Sequence, residues 1–518
     1  MNLKDYVQDL SRLWPEIILS VTALLALVCD LLMKGKETRV TGWVTAIGVL
    51  FTLGWVCRDF GDADGTRMFG MMVNDRFAMF FKLLITSGLL VVTLLSLFFR
   101  GLQKDGVGEY YSILVIAAVG ACFMVSTDNL LLLFLALETL SISSYALAGF
   151  LKRDLRSAEA SMKYLVFGAL SSGAMVYGFS LLYGFAGSLE LPQIAATVRT
   201  LLHGSGHGLD AAGIGCAVAV VLSLAGFGYK VAAFPFHFWS PDVYEGAPTP
   251  VTTFLAVVSK VASFGMILRF FGGIPHGAEG SAPLATVIAA IAVCSMTFGN
   301  LAAMLQENTK RLLAYSSIAH SGYLLAGVAA LVAPGAAGAV AGGDAHGHGV
   351  AAALSAGLSG GQAVTFYAAA YLLMNLGAFA VVIYLSNRFG AETVSGLAGL
   401  GWKAPIACGT LVLFLLSLTG IPPTVGFVGK WYLLQPIWSK GLHWLAVALV
   451  LNSIVSLFYY FRLARSLFLK GEAEALASPR KNAFGAEIAT IAVALAVGTV
   501  WFGVSLSWLA DLVLSIRI

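Results

Sequence analysis

Apolar stretches, each about as long as a bilayer is thick, recur along the whole chain with short polar connections between them. A spanning helix needs about 20 predominantly apolar residues. Such stretches lie near 13–33, 40–57, 77–99, 110–127, 129–151, 160–186, 211–238, 249–271, 284–304, 311–333, 362–387, 405–434, 443–469 and 485–514. The pattern predicts an all-α polytopic membrane protein with about 14 transmembrane helices. Only Ser126-Thr127-Asp128-Asn129 separates the fourth stretch from the fifth. The opening MNLKDYVQDLSRLWPE lacks the basic start, short apolar core and small-residue cleavage site of a secretory signal, so the run from Ile17 reads as a retained first span. Residues 333–361 are low-complexity Gly/Ala and read as an external loop, with His346 and His348 part of a solvated linker rather than a metal site.

Five charged groups interrupt this pattern. Glu138 lies in LLLLFLALETLSISSYAL, Lys163 in ASMKYLVFGAL, Lys230 in VVLSLAGFGYKVAAFPF, Lys260 in TTFLAVVSKVASFGMIL and Lys430 in GIPPTVGFVGKWYLL. A charged side chain at a helix centre costs about 2.5–3.5 kcal/mol on insertion scales. Together the five would cost on the order of 10–15 kcal/mol if nothing compensated them, so they must be paired or hydrated, and such groups are the usual material of ion and proton paths. Glu138 shares a helix face with Ser141, Tyr145 and Gly149, which makes a polar stripe for a lysine on a neighbouring helix to meet. The face of Lys230 carries Gly226 and Ser223, that of Lys260 carries Thr253 and Ser263, and His320 shares a stripe with Ser316, Ser317 and Tyr323. Lys163 lies close to Arg156 and has the alternative of snorkelling to the surface, the reading taken for Lys82 and Arg269 near their span ends.

Two breaks accompany the lysines. Pro235 interrupts the seventh span, followed by His237, and Pro422-Pro423 with Gly426 and Gly429 interrupt the twelfth. Proline removes a backbone donor and frees a carbonyl, and inside a membrane such groups must face protein or water. SISSYALAGF (141–150) echoes AHSGYLLAGV (319–328), and LSLAG (222–226) echoes LSLTG (416–420). The echoes join the fifth span to the tenth and the seventh to the twelfth, and a displacement of five spans inverts the second unit in the membrane. Inverted repeats with broken helices are a transporter signature. The division expected is an N-terminal three-helix segment (1–109), a first five-helix repeat (110–271), a second, inverted one (284–469) and a C-terminal helix (485–518).

Composition agrees: 58% of the 518 residues are hydrophobic and 11% charged, with mean hydropathy +0.86, against about 25% charged in a soluble protein. A net charge of +4 gives no reason to propose nucleic-acid binding. Basic residues concentrate in the loops after odd-numbered spans, including Lys152/Arg153/Arg156 and Lys310/Arg311, whereas RDFGDADGTR offsets its arginines with aspartates. Odd loops therefore face the cytoplasm and both termini the outer, periplasmic side. The six cysteines form no C-x-x-C and there is no G-x-x-x-x-G-K-[ST], which argues against iron–sulfur, zinc or nucleotide sites. Any redox chemistry belonging to this protein's biology takes place on another chain.

HFWSPDVYEGAPTPVT (237–252), GIPPTVGFVGKWYL (420–433), the fourteen-span plan and the paired units resemble the subunit N branch of the antiporter-like membrane subunits of bacterial proton-pumping NADH:quinone oxidoreductase (respiratory complex I), a family shared with Mrp sodium/proton antiporters. The resemblance implies a proton-translocating subunit of a bacterial inner-membrane complex. Glu138 and Lys230 would be an interacting pair, Lys260 the central relay and Lys430 the terminal group, with Lys163, His237 and His320 accessory. It also implies antiporter-like paralogues and small membrane subunits as partners, and no cofactor on this chain, since FMN, iron–sulfur clusters and quinone would belong to partner subunits. Two rivals stand beside it. An Mrp-type or stand-alone cation/proton antiporter would purify without quinone-reducing subunits, and an inert scaffold would tolerate Met or Leu at Lys230 and Lys430.

Overall fold

A computed structural model of the chain describes residues 9–33, 38–102, 107–203, 210–273, 282–334, 358–469 and 485–516; most of the Gly/Ala segment, with His346 and His348, lies outside them. Among the described residues, thirteen helices are long and apolar enough to cross a membrane, and a shorter apolar one supplies half of another span. The spans are Trp14–Met33, Thr38–Asp59, Arg76–Leu97, Val107–Ser126, Leu130–Ala148, Leu155–Ala186, the broken seventh (Ala211–Lys230 with Trp239–Gly246), Thr249–Gly272, Ala282–Ala303, Thr309–Val332, Gly360–Phe389, the broken twelfth (Pro405–Thr419 with Val425–Ser439), His443–Phe468 and Ala486–Val504. The two expected breaks thus fall in the seventh and twelfth spans.

Polar residues placed just ahead of the apolar runs set where helices begin. Asp75, Asn129, Asp154, Asp210 and Asn308 each accept a hydrogen bond from the first turn of the span they precede, satisfying donors that have no partner within the helix. Ser359 and Gln362 close a reciprocal capping box at the eleventh span. The Asn129 cap explains how four residues suffice to part the fourth and fifth spans: its Oδ1 accepts from Leu131 and Leu132 while Thr127 Oγ1 accepts from the Asn129 amide at 3.1 Å.

The eighth, tenth and eleventh spans form the centre. Their most apolar windows are 100%, 94% and 94% buried, against 28% for the first span and 22% for the fourteenth. Small residues allow this density: a Cβ on Gly322 of the tenth span would lie 2.6 Å from the Ala292 carbonyl of the ninth, the close backbone approach that glycine permits between membrane helices.

Several elements depart from the expected pattern. The fourteenth stretch divides at Ser505 into Ala486–Val504 and a short helix, Leu506–Leu514. A hairpin (Thr66–Met68 with Met72–Asn74) connects the second and third spans, and the helix Leu191–His203 lies between the sixth and seventh. Arg67 of the hairpin reaches Asp128 at 2.9 Å and Glu190 at 3.1 Å. Lys82 does not snorkel, whereas Arg269 stays partly exposed in the last turn of its span. Arg269 forms a two-pronged pair with Asp75 at 2.5 and 2.9 Å. Lys82 is fully buried and lies 2.7 Å from Glu16, itself almost fully buried. A carboxylate on the first span makes the buried amine tenable, and Glu16 gives no signal in the sequence because it stands at the very start of its apolar run.

Breaking such a pair leaves one uncompensated buried charge, at a cost of about 3–5 kcal/mol, whereas removing both charges is often neutral. Lys82→Met is therefore expected to lower the thermal midpoint of the detergent-solubilised protein clearly, and Glu16→Leu added to Lys82→Met to recover most of the loss. A double variant no better than the single would contradict this account.

Candidate functional site

Lys230 is the last residue of the long half of the seventh span, where the chain departs from helix before Pro235. Its side chain is 2% exposed and its Nζ donates to Ser141 Oγ at 3.0 Å. Glu138, one turn before Ser141, is close enough to act on the ammonium electrostatically, although among the described residues its direct hydrogen bond goes elsewhere. The Glu138 carboxylate accepts instead from Ser172 Oγ of the sixth span at 2.5 Å, and is only partly buried. The polar stripe predicted on the fifth span is thus the contact, with its serine rather than its glutamate touching the lysine. The ammonium also lies 6.0 Å from the centre of the Tyr164 ring, within range of attraction to the π face.

Lys260 comes immediately after a π-helical turn, Leu255–Ser259, inside the eighth span. Such turns insert one residue into the ladder and re-aim the side chains beyond it, and they are frequent at functional sites. Lys260 is 2% exposed and all its acceptors are neutral and on the tenth span: the Ser317 carbonyl at 2.8 Å, the Ser317 hydroxyl, and Ser321 Oγ at 2.9 Å. Ser321 in turn donates to the Val231 carbonyl at 2.6 Å, directly after Lys230. A single serine therefore joins the central lysine to the first break.

Beyond Lys260 the polar groups continue without a charge. Ser317 Oγ contacts Tyr371 Oη at 2.8 Å, His320 Nδ1 contacts Tyr367 Oη at 2.7 Å, and His320 Nε2 contacts Tyr460 Oη at 3.3 Å. Lys430 sits in the second half of the twelfth span and donates back to the carbonyls of Leu418 and Thr419, at 3.0 and 2.8 Å. These carbonyls end the first half of the span, where Pro422 and Pro423 prevent continuation. The Tyr323 ring, one turn beyond His320, lies 4.7 Å from the Lys430 ammonium. Asn300 donates to Tyr323 Oη at 3.1 Å and to the Asn452 carbonyl at 2.9 Å, which holds the ring in place.

Two predicted groups stand apart from this line. His237 is buried in the first break among Phe234, Phe238 and Phe298, with its Nδ1 unpartnered. Lys163 is 38% exposed and pairs with Glu159 at 2.7 Å and Asp242 at 2.6 Å. Sequence reasoning missed Ser172, Ser321, Tyr367, Tyr371, Tyr460 and the Leu418 and Thr419 carbonyls. Serine and tyrosine in apolar spans carry no signal that distinguishes a pathway from packing, and main-chain carbonyls have no sequence signal except the prolines that free them. Among the described residues no group of His, Cys, Asp and Glu could hold a metal ion.

Buried lysines with neutral acceptors, set at two helix breaks and one π turn in an all-helical bundle, define an antiporter-like membrane subunit. The profile of the family described as NADH:quinone oxidoreductase/Mrp antiporter, TM matches residues 127–349 and 345–456. The chain is 38% identical to NADH-quinone oxidoreductase subunit N of Chlorobium chlorochromatii, an alignment that covers 96% of this chain and 92% of that protein. A chain in respiratory complex I from Thermus thermophilus with bound aureothin shares its fold with TM-score 0.75 at 29% identity, over 96% of this chain and 98% of that one. A chain of the Mrp complex from Dietzia, at 20% identity, has the same fold with TM-score 0.76, over 96% of each chain. The chain belongs to the NADH:quinone oxidoreductase/Mrp antiporter family.

The break that exposes the Lys430 acceptors depends on Gly426, since a Cβ there would collide with the Ser417 carbonyl. Overpacking costs about 1–3 kcal/mol. Gly426→Ala is expected to lower the thermal midpoint accordingly and to raise amide hydrogen exchange across 417–430, with other spans unchanged; protection equal to wild type there would show that the break adapts freely.

Proposed function

We propose that this chain is the subunit N component of a bacterial NADH:quinone oxidoreductase, a proton-translocating inner-membrane subunit whose transport is driven by electron transfer elsewhere in the complex. The observation that carries the reading is the succession of buried polar groups along the tenth span: Ser321 and Ser317 hold Lys260, Ser321 also reaches the Val231 carbonyl beside Lys230, which itself contacts Ser141, and farther along the same span His320 meets two tyrosines and the Tyr323 ring faces Lys430 of the twelfth span. The names borne by the relatives support the oxidoreductase over a stand-alone cation/proton antiporter. In this reading the chain holds no redox centre; FMN, iron–sulfur clusters and quinone belong to partner subunits, which include antiporter-like paralogues and small membrane subunits. Both termini lie on the periplasmic side, as the basic loops after odd-numbered spans require.

The chemistry is proton exchange between amines. An ammonium ion whose direct partners are carbonyls, hydroxyls and ring faces has lost its water without gaining a directly paired counter-ion. A nearby change of charge is felt strongly by such a group through the weakly screening interior. Electron transfer in the partner subunits alters the charge beside Glu138. Through Ser141 the change acts on Lys230, which exchanges its proton with Lys260. The proton then passes over the Ser317, Tyr371 and His320 groups to Lys430 and the outer side. Neutral imidazole both donates and accepts, which suits His320 to its place between tyrosines.

Lys260 has no counter-ion to lose, so its replacement strands no opposite charge. Lys260→Ala is expected to leave the complex assembled and to abolish the proton transport that depends on this chain, read as protons taken up per NADH oxidised in inverted membrane vesicles. A wild-type ratio in that variant would overturn the relay. Co-purification of this chain with quinone-reducing subunits is expected, and its purification without them would favour the antiporter.

A further inference from the structure

The short helix Trp239–Gly246 after the first break is held from both sides by one carboxylate. Asp242 Oδ2 accepts from Lys163 of the sixth span at 2.6 Å, and Asp242 Oδ1 accepts from Arg311 of the tenth span at 2.6 Å. The two cations stand on helices from the two different repeats expected from the sequence. Arg311 also reaches Glu245 at 3.0 Å, and Lys310 donates to the Ala247 carbonyl that closes the short helix, at 3.2 Å. On the opposite flank Gly246 is pressed against the Arg156 carbonyl, with no room for a Cβ.

This fastening reaches the relay through a short series of contacts. Trp239, three residues before Asp242 and so on the same face of the short helix, donates from Nε1 to the Tyr229 carbonyl at 2.9 Å. That carbonyl directly precedes Lys230, at the helix end where the backbone loses its regular partners. Tyr164, the neighbour of Lys163, stacks on Trp239 with ring centres 4.3 Å apart, and its carbonyl accepts from Tyr229 Oη at 2.7 Å. The tenth span, tied to Asp242 through Arg311, also carries Ser317 and Ser321, the acceptors of Lys260. Displacement of Asp242 would therefore shift the backbone at Lys230 relative to the groups that hold Lys260.

We propose that Asp242 is a positioning residue for proton exchange between Lys230 and Lys260: it clamps the short half of the seventh span between Lys163 and Arg311 and so sets the register of one buried amine against the other. Lys163 then acts as one jaw of the clamp and not as a carrier. The inference rests on the relay reading above.

The test uses the whole complex in inverted membrane vesicles, with protons taken up per NADH oxidised measured alongside the amount of assembled complex. Asp242→Asn keeps the shape but removes the charge that holds both cations; the ratio is expected to fall severalfold per assembled complex, and Asp242→Glu to restore most of it. Lys163→Met and Arg311→Gln are each expected to lower the ratio less than Asp242→Asn, and to add little in combination with it. If Asp242→Asn impairs assembly, the two cation variants carry the test. A wild-type ratio in assembled Asp242→Asn, or in both Lys163→Met and Arg311→Gln, overturns the clamp. Fully additive losses overturn it as well, because they would show the three groups acting separately. Lys260→Ala measured in the same vesicles keeps the two claims apart: a wild-type ratio there overturns the relay itself, whereas a fall there with a wild-type ratio in Asp242→Asn overturns only the positioning role.

Discussion

An ammonium ion can remain inside this bundle only where protein oxygens replace the water it has lost, and the three central lysines solve that problem with neutral oxygens. A regular helix offers mainly side-chain hydroxyls, since most of its carbonyls are already engaged; Ser141, Ser317 and Ser321 supply them to Lys230 and Lys260. The chain also departs from regular helix near each lysine. The seventh span ends at Lys230, a π turn precedes Lys260, and the twelfth span is interrupted so that the Leu418 and Thr419 carbonyls turn toward Lys430. Backbone irregularity at membrane depth is tolerated where it is buried in protein or lines a cavity. At the twelfth span it directly supplies the carbonyls that accommodate the buried amine.

The tenth span connects these solutions. Successive turns of one helix present Arg311 to Asp242, Ser317 and Ser321 to Lys260, His320 to two tyrosines, and the Tyr323 ring to Lys430. A rigid helix that touches Asp242, the Val231 carbonyl, Lys260 and Lys430 is suited to couple them, since a small displacement along its axis alters all these contacts together. Gly322, packed directly on the backbone of the ninth span, holds that axis close.

Charge is handled differently where a carboxylate meets the cation directly. Arg67, Lys82, Arg269, Lys163 and Arg311 all have carboxylate partners, whereas Lys230, Lys260 and Lys430 have hydroxyls, carbonyls and ring faces. An ion pair fixes both partners in their charged forms and fastens helices together. A lysine among neutral acceptors has no such anchor. The division between fastening and exchange depends on whether a carboxylate pairs with the amine directly.

Much of the architecture was written in the chain. The spans could be located because lipid demands long apolar runs, and the breaks because Pro235 and Pro422-Pro423 cannot continue a helix. The buried lysines stood out because their cost in an apolar span is large. What the chain alone did not reveal was pairing. Glu138 and Lys230 were expected as an interacting pair, and the glutamate does lie within electrostatic reach of the lysine, but the direct contacts are Ser141 for Lys230 and Ser172 for Glu138; Lys82 was expected to reach the surface, yet Glu16 meets it inside. Periodicity places residues on a helix face, but it does not say which face of which distant helix arrives opposite. Nor does composition indicate that a run of ordinary apolar residues, Leu255–Ser259, will widen into a π turn. Those outcomes depend on how fourteen spans settle against one another, and only the tertiary structure decided them.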